Sequence, residues 1–109
     1  MNLSQKNCVP CKGGVSGIRK TQAMEFLAQL PKWQLKEDGK EIFKEWKFKN
    51  FKETIVFVNK VGEIAENEGH HPNIHITDWN KLRLEFSTQA IHALTENDFI
   101  MAAKINELE

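Results

Sequence analysis

The sequence lacks an excess of either charge, because its 15 lysine and arginine residues are balanced by 15 aspartate and glutamate residues. The charge therefore gives no indication of a nucleic-acid partner, since such proteins usually carry a basic surface. Long hydrophobic runs are also missing, and the longest uncharged apolar stretch, near residues 54–59, is far below the roughly 18 residues that a membrane span needs. The first residues lack the apolar core of a signal peptide. We therefore expect a soluble, cytoplasmic protein that contacts no membrane.

The chain is short, with 109 residues, of which 40% are hydrophobic and 28% are charged. This balance is typical of a single globular domain and excludes intrinsic disorder. A chain of this length has a thin core, and association with further copies is a common way to bury more apolar surface. The sequence therefore favours a homo-oligomer.

Cysteine is scarce, and the two cysteines, Cys8 and Cys11, lie close together near the start of the chain. A redox motif usually follows a strand, and no strand is predicted here. A zinc site could be completed by His71 and His75, although these histidines lie much further along the chain than in a small zinc finger. We expect a reduced pair in a flexible leader, residues 1–17, and keep the zinc site as the alternative.

The rest of the chain, residues 18–109, shows regular helix and strand patterns. Thr21, Asn50 and Thr95 are candidate helix caps, and Gly69 is suited to end the second helix. Apolar and polar residues alternate between the helices, which indicates strands with one buried and one solvated face. We predict helices over 21–30, 50–69 and from 95 onwards, and strands over 33–36, 41–48, 73–78 and 81–87. The fold class is α+β, with the order α-β-β-α-β-β-α and helices on one face of a four-stranded antiparallel sheet.

Adjacent histidines, His70 and His71, follow the predicted end of the second helix. Glu66 precedes His70 by one helical turn, so its carboxylate is expected to pair with the His70 ring. Histidine exchanges protons near neutral pH, so this cluster is a candidate general acid–base site. The alternative is a pair of solvated histidines at a helix end, and His75 and His92 are interpreted as surface residues.

The spacing of this cluster resembles the signature of the pterin-4a-carbinolamine dehydratases. The resemblance rests on Glu66-x-x-x-His70-His71-Pro72 followed by Trp79, and it extends over most of residues 21–108. Further matching segments are Leu30-Pro-x-Trp33, Ile42-Phe-Lys-x-x-x-Phe48-Lys-Asn-Phe51, Asn80-Lys-Leu, Ser87-Thr88 and Leu94-Thr-Glu-Asn-Asp98-Phe. A Cys-x-x-Cys leader is similar to that of some bacterial members.

The resemblance implies an enzyme, a hydro-lyase that removes water from a 4a-hydroxy-tetrahydropterin to give a quinonoid dihydropterin, as part of tetrahydropterin recycling. It implies histidine acid–base catalysis without a metal or organic cofactor, in a homodimer or homotetramer with a small-molecule pterin as substrate. His70 is the implied acid–base group, His71 holds the pterin, and Glu66 tunes His70. The implied substrate-binding residues are Gly69, His70, His71, Ser87, Thr88, Gln89, Trp33 and Asp98.

The sequence departs from the family pattern at Gln89, where members carry a third active-site histidine. Glutamine exchanges hydrogen bonds but supplies no proton at neutral pH. We expect activity that is slower or more stereoselective. The alternative is a non-catalytic module that binds pterin or acts as a dimerisation cofactor for another protein.

Overall fold

The computed structural model describes residues 2–9 and 17–109, and within them it contains the predicted order of helices and strands. Short 3-10 turns lie at Leu3–Gln5 and Gln89–Ile91. The helices and strands are α1 (Lys20–Leu27), β1 (Gln34–Leu35), β2 (Ile42–Lys47), α2 (Phe51–Glu68), β3 (Asn73–Thr77), β4 (Lys81–Phe86) and α3 (Glu96–Asn106). The predicted α+β class is confirmed.

The four strands form one antiparallel sheet in the order β1-β2-β4-β3. Ile42 pairs with Phe86 and Trp46 pairs with Leu82 across the two central strands, and all four side chains point to the same face. Helix α2 covers this face, since its Phe57 ring lies 5.2 Å from the Trp46 ring. Helix α3 also covers this face, because the C-terminal end of α3 contacts Lys44 of β2, as described below.

Helix α2 begins and ends where the sequence predicts. The Asn50 side chain accepts a hydrogen bond from the Glu53 amide at 2.8 Å, which satisfies one of the free amides of the first turn. Gly69 follows the last helical residue with a φ of 67°, a left-handed conformation that glycine adopts without strain.

The predicted cap of α1 is wrong. The helix begins at Lys20 with Arg19 as its N-cap, and the Gln22 side chain accepts the Arg19 amide at 3.2 Å. Because the Gln22 side chain caps the chain at Arg19, Thr21 lies inside the first turn instead of capping it. The predicted C-terminal residues 28–30 form tight turns after the helix rather than a further helical turn.

One lysine, Lys44, lies in the core, which the alternation of apolar and polar residues did not predict. Lys44 shares the buried face of β2 and is 2% exposed. Its ammonium donates to Oδ1 of Asn106 at 2.8 Å and pairs with the Glu109 carboxylate at 3.0 Å. Trp33 donates its ring N–H to the same Asn106 oxygen at 2.9 Å. These contacts join the C-terminal end of α3 to the sheet and satisfy the buried charge.

The outer face of the sheet carries a compact group of charges around Glu85. Its carboxylate accepts hydrogen bonds from Arg83 at 2.9 Å and His75 at 3.0 Å, and Lys36 lies 3.5 Å away. Partial burial alone would raise the pKa of Glu85, but these hydrogen bonds and positive charges outweigh it and lower the pKa to about 2. The expected solvated position of His75 is confirmed.

This lowered pKa predicts a pH dependence of stability. The folded state holds Glu85 ionised below its ordinary pKa, so the group stabilises the fold above about pH 4.5 and loses this contribution as the pH falls towards 2. The difference in unfolding free energy between the wild type and Glu85→Gln is therefore expected to shrink over this range. Urea unfolding at a series of pH values measures it, and a constant difference would contradict the prediction.

Residues 2–9 pack against α3, and the flexible leader expected for 1–17 stays a prediction. Leu3 is 6% exposed, and the Ser4 hydroxyl donates to the Glu107 carboxylate at 3.0 Å. Burial of Leu3 supplies the apolar contact that the sequence pattern did not assign to this segment. Cys11 lies outside the described residues, so the Cys-x-x-Cys interpretation stays a prediction.

Candidate active site

The turn at the end of α2 determines where the adjacent histidines lie. The His70 amide donates to the Ala65 carbonyl at 3.2 Å, and the Gly69 amide donates to the Glu66 carbonyl at 3.3 Å. This pair of bonds is a Schellman motif, which ends a helix in a fixed geometry. His70 therefore leaves the helix at once, on a backbone held by two hydrogen bonds.

The His70 ring is held from two sides. Its Nε2 atom lies 2.6 Å from Oδ1 of Asp98, and its ring is stacked on Phe86 with a centroid distance of 6.0 Å and an interplanar angle of 8°. The side chain is 12% exposed. With Nε2 bound to a carboxylate, Nδ1 is the ring nitrogen that is left for a ligand.

Asp98 is fully buried, and its carboxylate is satisfied by three hydrogen bonds. Besides the His70 contact, Oδ2 accepts the Thr88 hydroxyl at 2.9 Å and the Thr95 amide at 3.0 Å. The residue lies in the first turn of α3, where the helix dipole favours a negative charge. One side chain thus caps α3 and orients His70.

The predicted pairing of Glu66 with His70 is wrong. The Glu66 carboxylate lies 2.9 Å from Nε2 of His71, and both side chains are largely exposed. Helical i,i+4 geometry fails here because the left-handed Gly69 turns the chain before His70. His70 faces inward to Asp98 as a result, and His71 takes the exposed position beside Glu66.

His70 and His71 line a cavity of about 430 Å³, within the size range of small-molecule sites. The end of α2 contributes Gly69, His70 and His71, and the segment after β4 contributes the predicted residues Ser87, Thr88 and Gln89. Gln89 is exposed, and its amide donates to the Ser87 hydroxyl at 3.3 Å. The structure therefore brings six of the eight predicted binding residues to one cavity.

The other two predicted binding residues do not line it. Trp33 is 5% exposed, and its ring lies 5.9 Å from the Phe86 ring, outside the cavity lining. Asp98 lies behind the His70 ring. Trp79, which the sequence offered as a wall for a flat ligand, is 63% exposed in the β3–β4 turn, at the opposite end of β4 from Ser87.

The cavity also has walls that the sequence reasoning missed. Cys8, Val9, Glu68 and Asn97 line it together with the histidines. Burial and the nearby Glu68 carboxylate raise the pKa of the Cys8 thiol to about 12, so it is a poor nucleophile and metal ligand near neutral pH. No local pattern marks Cys8 and Val9, because their place depends on contacts with residues some 60 to 88 positions later.

No group of three or more histidine, cysteine, aspartate or glutamate side chains that could hold a metal occurs within residues 2–9 and 17–109. Over the same residues, no helix is long and apolar enough to cross a membrane. His92 is exposed at the end of the 3-10 turn and does not line the cavity. Within the described residues, the cavity presents the imidazole of His70, which is oriented by a carboxylate, together with polar side chains.

Comparison with known proteins identifies the family that carries this arrangement. The family model described as pterin 4 alpha carbinolamine dehydratase matches residues 16–108. The chain belongs to this family. A relative from Methylococcus capsulatus, provisionally named as a pterin-4-alpha-carbinolamine dehydratase, is 45% identical over 98% of this chain and 93% of its own length. The mitochondrial pterin-4-alpha-carbinolamine dehydratase 2 of Arabidopsis thaliana is 41% identical over 99% of this chain and 59% of its own length.

Solved structures show the same fold. A transcriptional coactivator/pterin dehydratase from Brucella melitensis superposes with a TM-score of 0.80 at 27% identity, covering 85% of this chain and 98% of that one. A pterin dehydratase-like protein described as a RuBisCO assembly factor in the alpha-carboxysome gives a TM-score of 0.60 at 22% identity, covering 70% and 87% of the two chains. The second likeness concerns the fold alone.

Proposed function

We propose that this protein is a cytoplasmic hydro-lyase that removes water from a 4a-hydroxy-tetrahydropterin and yields a quinonoid dihydropterin, in tetrahydropterin recycling. The observation that carries the proposal is the His70 ring, which is fixed by buried Asp98 and borders a cavity of suitable size. Family membership supplies the substrate class. The coarser assignment, a pterin dehydratase of the lyase type, is supported by the names of the relatives.

The reaction needs one proton delivered and one removed. The C4a–O bond breaks more easily when the leaving hydroxyl is protonated, and loss of the ring N–H proton completes the new carbon–nitrogen double bond. His70 delivers a proton from Nδ1 while Asp98 stabilises the imidazolium form. We assign the remaining roles, holding the pterin and taking up the second proton, to His71, which lines the cavity, and to its partner Glu66.

Each step of this scheme is a proton transfer or the departure of water, so the scheme needs neither a metal ion nor an organic cofactor. Ser87, Thr88 and Gln89 line the cavity and supply hydrogen bonds to the polar edges of the pterin. The direct test is a stopped-flow dehydration assay on chemically generated 4a-hydroxy-tetrahydropterin. A rate equal to the uncatalysed rate with folded protein would overturn the proposal.

Gln89 predicts a stereochemical preference. Its amide can form hydrogen bonds with the pterin or a water but cannot supply a proton, so we expect His70 alone to protonate the leaving hydroxyl. Gln89→His is expected to raise turnover, most clearly for the epimer whose hydroxyl faces away from His70, with little change in binding. Rates measured separately for the two 4a epimers decide this. Equal wild-type rates that Gln89→His does not alter would mean that Gln89 only ends the strand.

The second candidate function is a pterin-binding or dimerisation module without catalysis. It is favoured by Gln89, which removes one proton carrier from the cavity, and the Brucella melitensis relative is described as both coactivator and dehydratase. A protein that binds pterin but leaves the dehydration rate unchanged would support this alternative.

We further propose that the chain forms at least a homodimer. Large apolar side chains are exposed on α2, where Phe51 is 52% and Val56 is 47% exposed, and Ile74 on the edge strand β3 is 41% exposed. A small domain gains stability when such residues are covered. Sedimentation velocity at micromolar concentration is expected to show a dimer or tetramer, and a monomer there would contradict the prediction.

A further inference from the structure

The first described segment of the chain, residues 2–9, here called the N-terminal arm, runs along α3 towards the cavity. Lys104, near the end of α3, donates to the Ser4 carbonyl at 2.8 Å. Lys6 pairs with Glu96, at the start of the same helix, at 2.8 Å. The arm is thus antiparallel to α3. Its last residues reach the N-terminal end of α3, where Asp98 lies.

A buried asparagine holds the end of the arm in place. Asn97 is 3% exposed, its Oδ1 accepts the Val9 amide at 3.0 Å, and its Nδ2 donates to the Val9 carbonyl at 2.6 Å. The Cys8 amide donates to the Glu68 carboxylate at 2.7 Å. The arm is therefore attached both to α3 and to the end of α2, the two elements that position His70.

The side chain of Val9 is 66% exposed although its backbone is bound on both sides. Val9 lines the same cavity as His70 and Gln89. When a ligand covers an apolar side chain on a fixed backbone at a cavity wall, the burial of apolar surface favours binding. We propose that the N-terminal arm is a wall of the pterin site, in which Val9 contacts the bound pterin and Asn97 is the positioning residue that holds the wall in place.

This inference rests on the proposed function, because a pterin is taken as the ligand. The first test measures the affinity of Val9→Ser for 7,8-dihydrobiopterin by fluorescence titration and its KM for the 4a-hydroxy substrate. Both constants are expected to rise about three- to tenfold, with a smaller effect on kcat, because apolar contact is lost while the acid–base groups stay. The control is Met24→Ser, at an exposed apolar residue on α1 that does not line the cavity.

The second test follows the position of the arm without any assay of activity. In a Cys11→Ser background, Cys8 is the single thiol, and its raised pKa predicts slow alkylation near neutral pH. Asn97→Ala is expected to accelerate alkylation by at least fivefold because it releases the arm from α3. In the protein that retains Asn97, bound 7,8-dihydrobiopterin is expected to slow alkylation. Asn59→Ala, at an exposed position of α2, is the control for loss of an asparagine from a helix.

The outcomes separate the two proposals. Unchanged affinity of Val9→Ser, or Cys8 alkylation that bound pterin does not alter, would overturn the role of the arm while the dehydratase proposal stands. Weakened pterin binding by Val9→Ser without dehydration by any variant would support the arm and overturn the enzymatic proposal. A wild-type protein that binds no pterin would overturn both.

Discussion

His70→Ala is expected to lower the dehydration rate at saturating substrate by about 10²-fold or more, the usual contribution of a positioned general acid or base. His70 is the imidazole that Asp98 orients at 2.6 Å, and it lines the cavity. Removal of the ring leaves the leaving hydroxyl to be protonated by solvent. Stopped-flow measurement on the 4a-hydroxy substrate gives the rate.

The neighbouring histidines provide the controls for this experiment. His71→Ala is expected to raise KM and to lower kcat less than His70→Ala, since the His71 side chain is 60% exposed beside an exposed Glu66. His75→Ala removes an imidazole from the outer face of the sheet and is expected to leave kcat unchanged. The double variant of His70 and His71 should approach the uncatalysed rate. Wild-type turnover by that folded double variant would rule out the assignment.

The sequence predicted the fold well wherever a local signal agreed with the tertiary packing. Asn50 and Gly69 mark the two ends of α2 as expected, because a cap and a left-handed glycine act on the residues next to them. At α1 two neighbouring cap signals competed, and the Gln22 bond to Arg19 prevailed over Thr21. Lys44 was missed because alternation assigns a face to a residue but does not show that Asn106 is there to bind a charge.

The side-chain pairings within the candidate site were harder to predict than which residues lie close together. Residues 69–71 and 87–89 were expected together, and they line one cavity in the structure, while their role in pterin binding stays a prediction. The Glu66 pairing failed because it assumed that helical geometry continues past residue 68, where Gly69 reverses the chain. Asp98 was expected among the binding residues, but its contact with His70 joins positions 28 residues apart, and no local pattern indicates it.

Asp98→Asn is expected to lower kcat by about 10²-fold or more, because it changes which ring nitrogen of His70 carries the proton. Oδ2 of Asp98 accepts the Thr95 amide, so the oxygen of an asparagine is needed at that position. The amide nitrogen then faces Nε2 of His70 and donates to it. This arrangement moves the ring proton to Nδ1 and removes the anion that stabilises the imidazolium.

A loss of stability must be separated from a loss of catalysis in this variant, since Asp98 also caps α3. Circular dichroism melting gives the folded fraction, and kcat is compared per folded molecule. KM is expected to change little, because Asp98 lies behind the His70 ring and does not line the cavity. The matched control is Asp38→Asn, where the side chain accepts the Lys40 amide in an exposed turn and an asparagine oxygen can do the same. A folded Asp98→Asn protein with wild-type kcat would show that His70 works without a negatively charged partner.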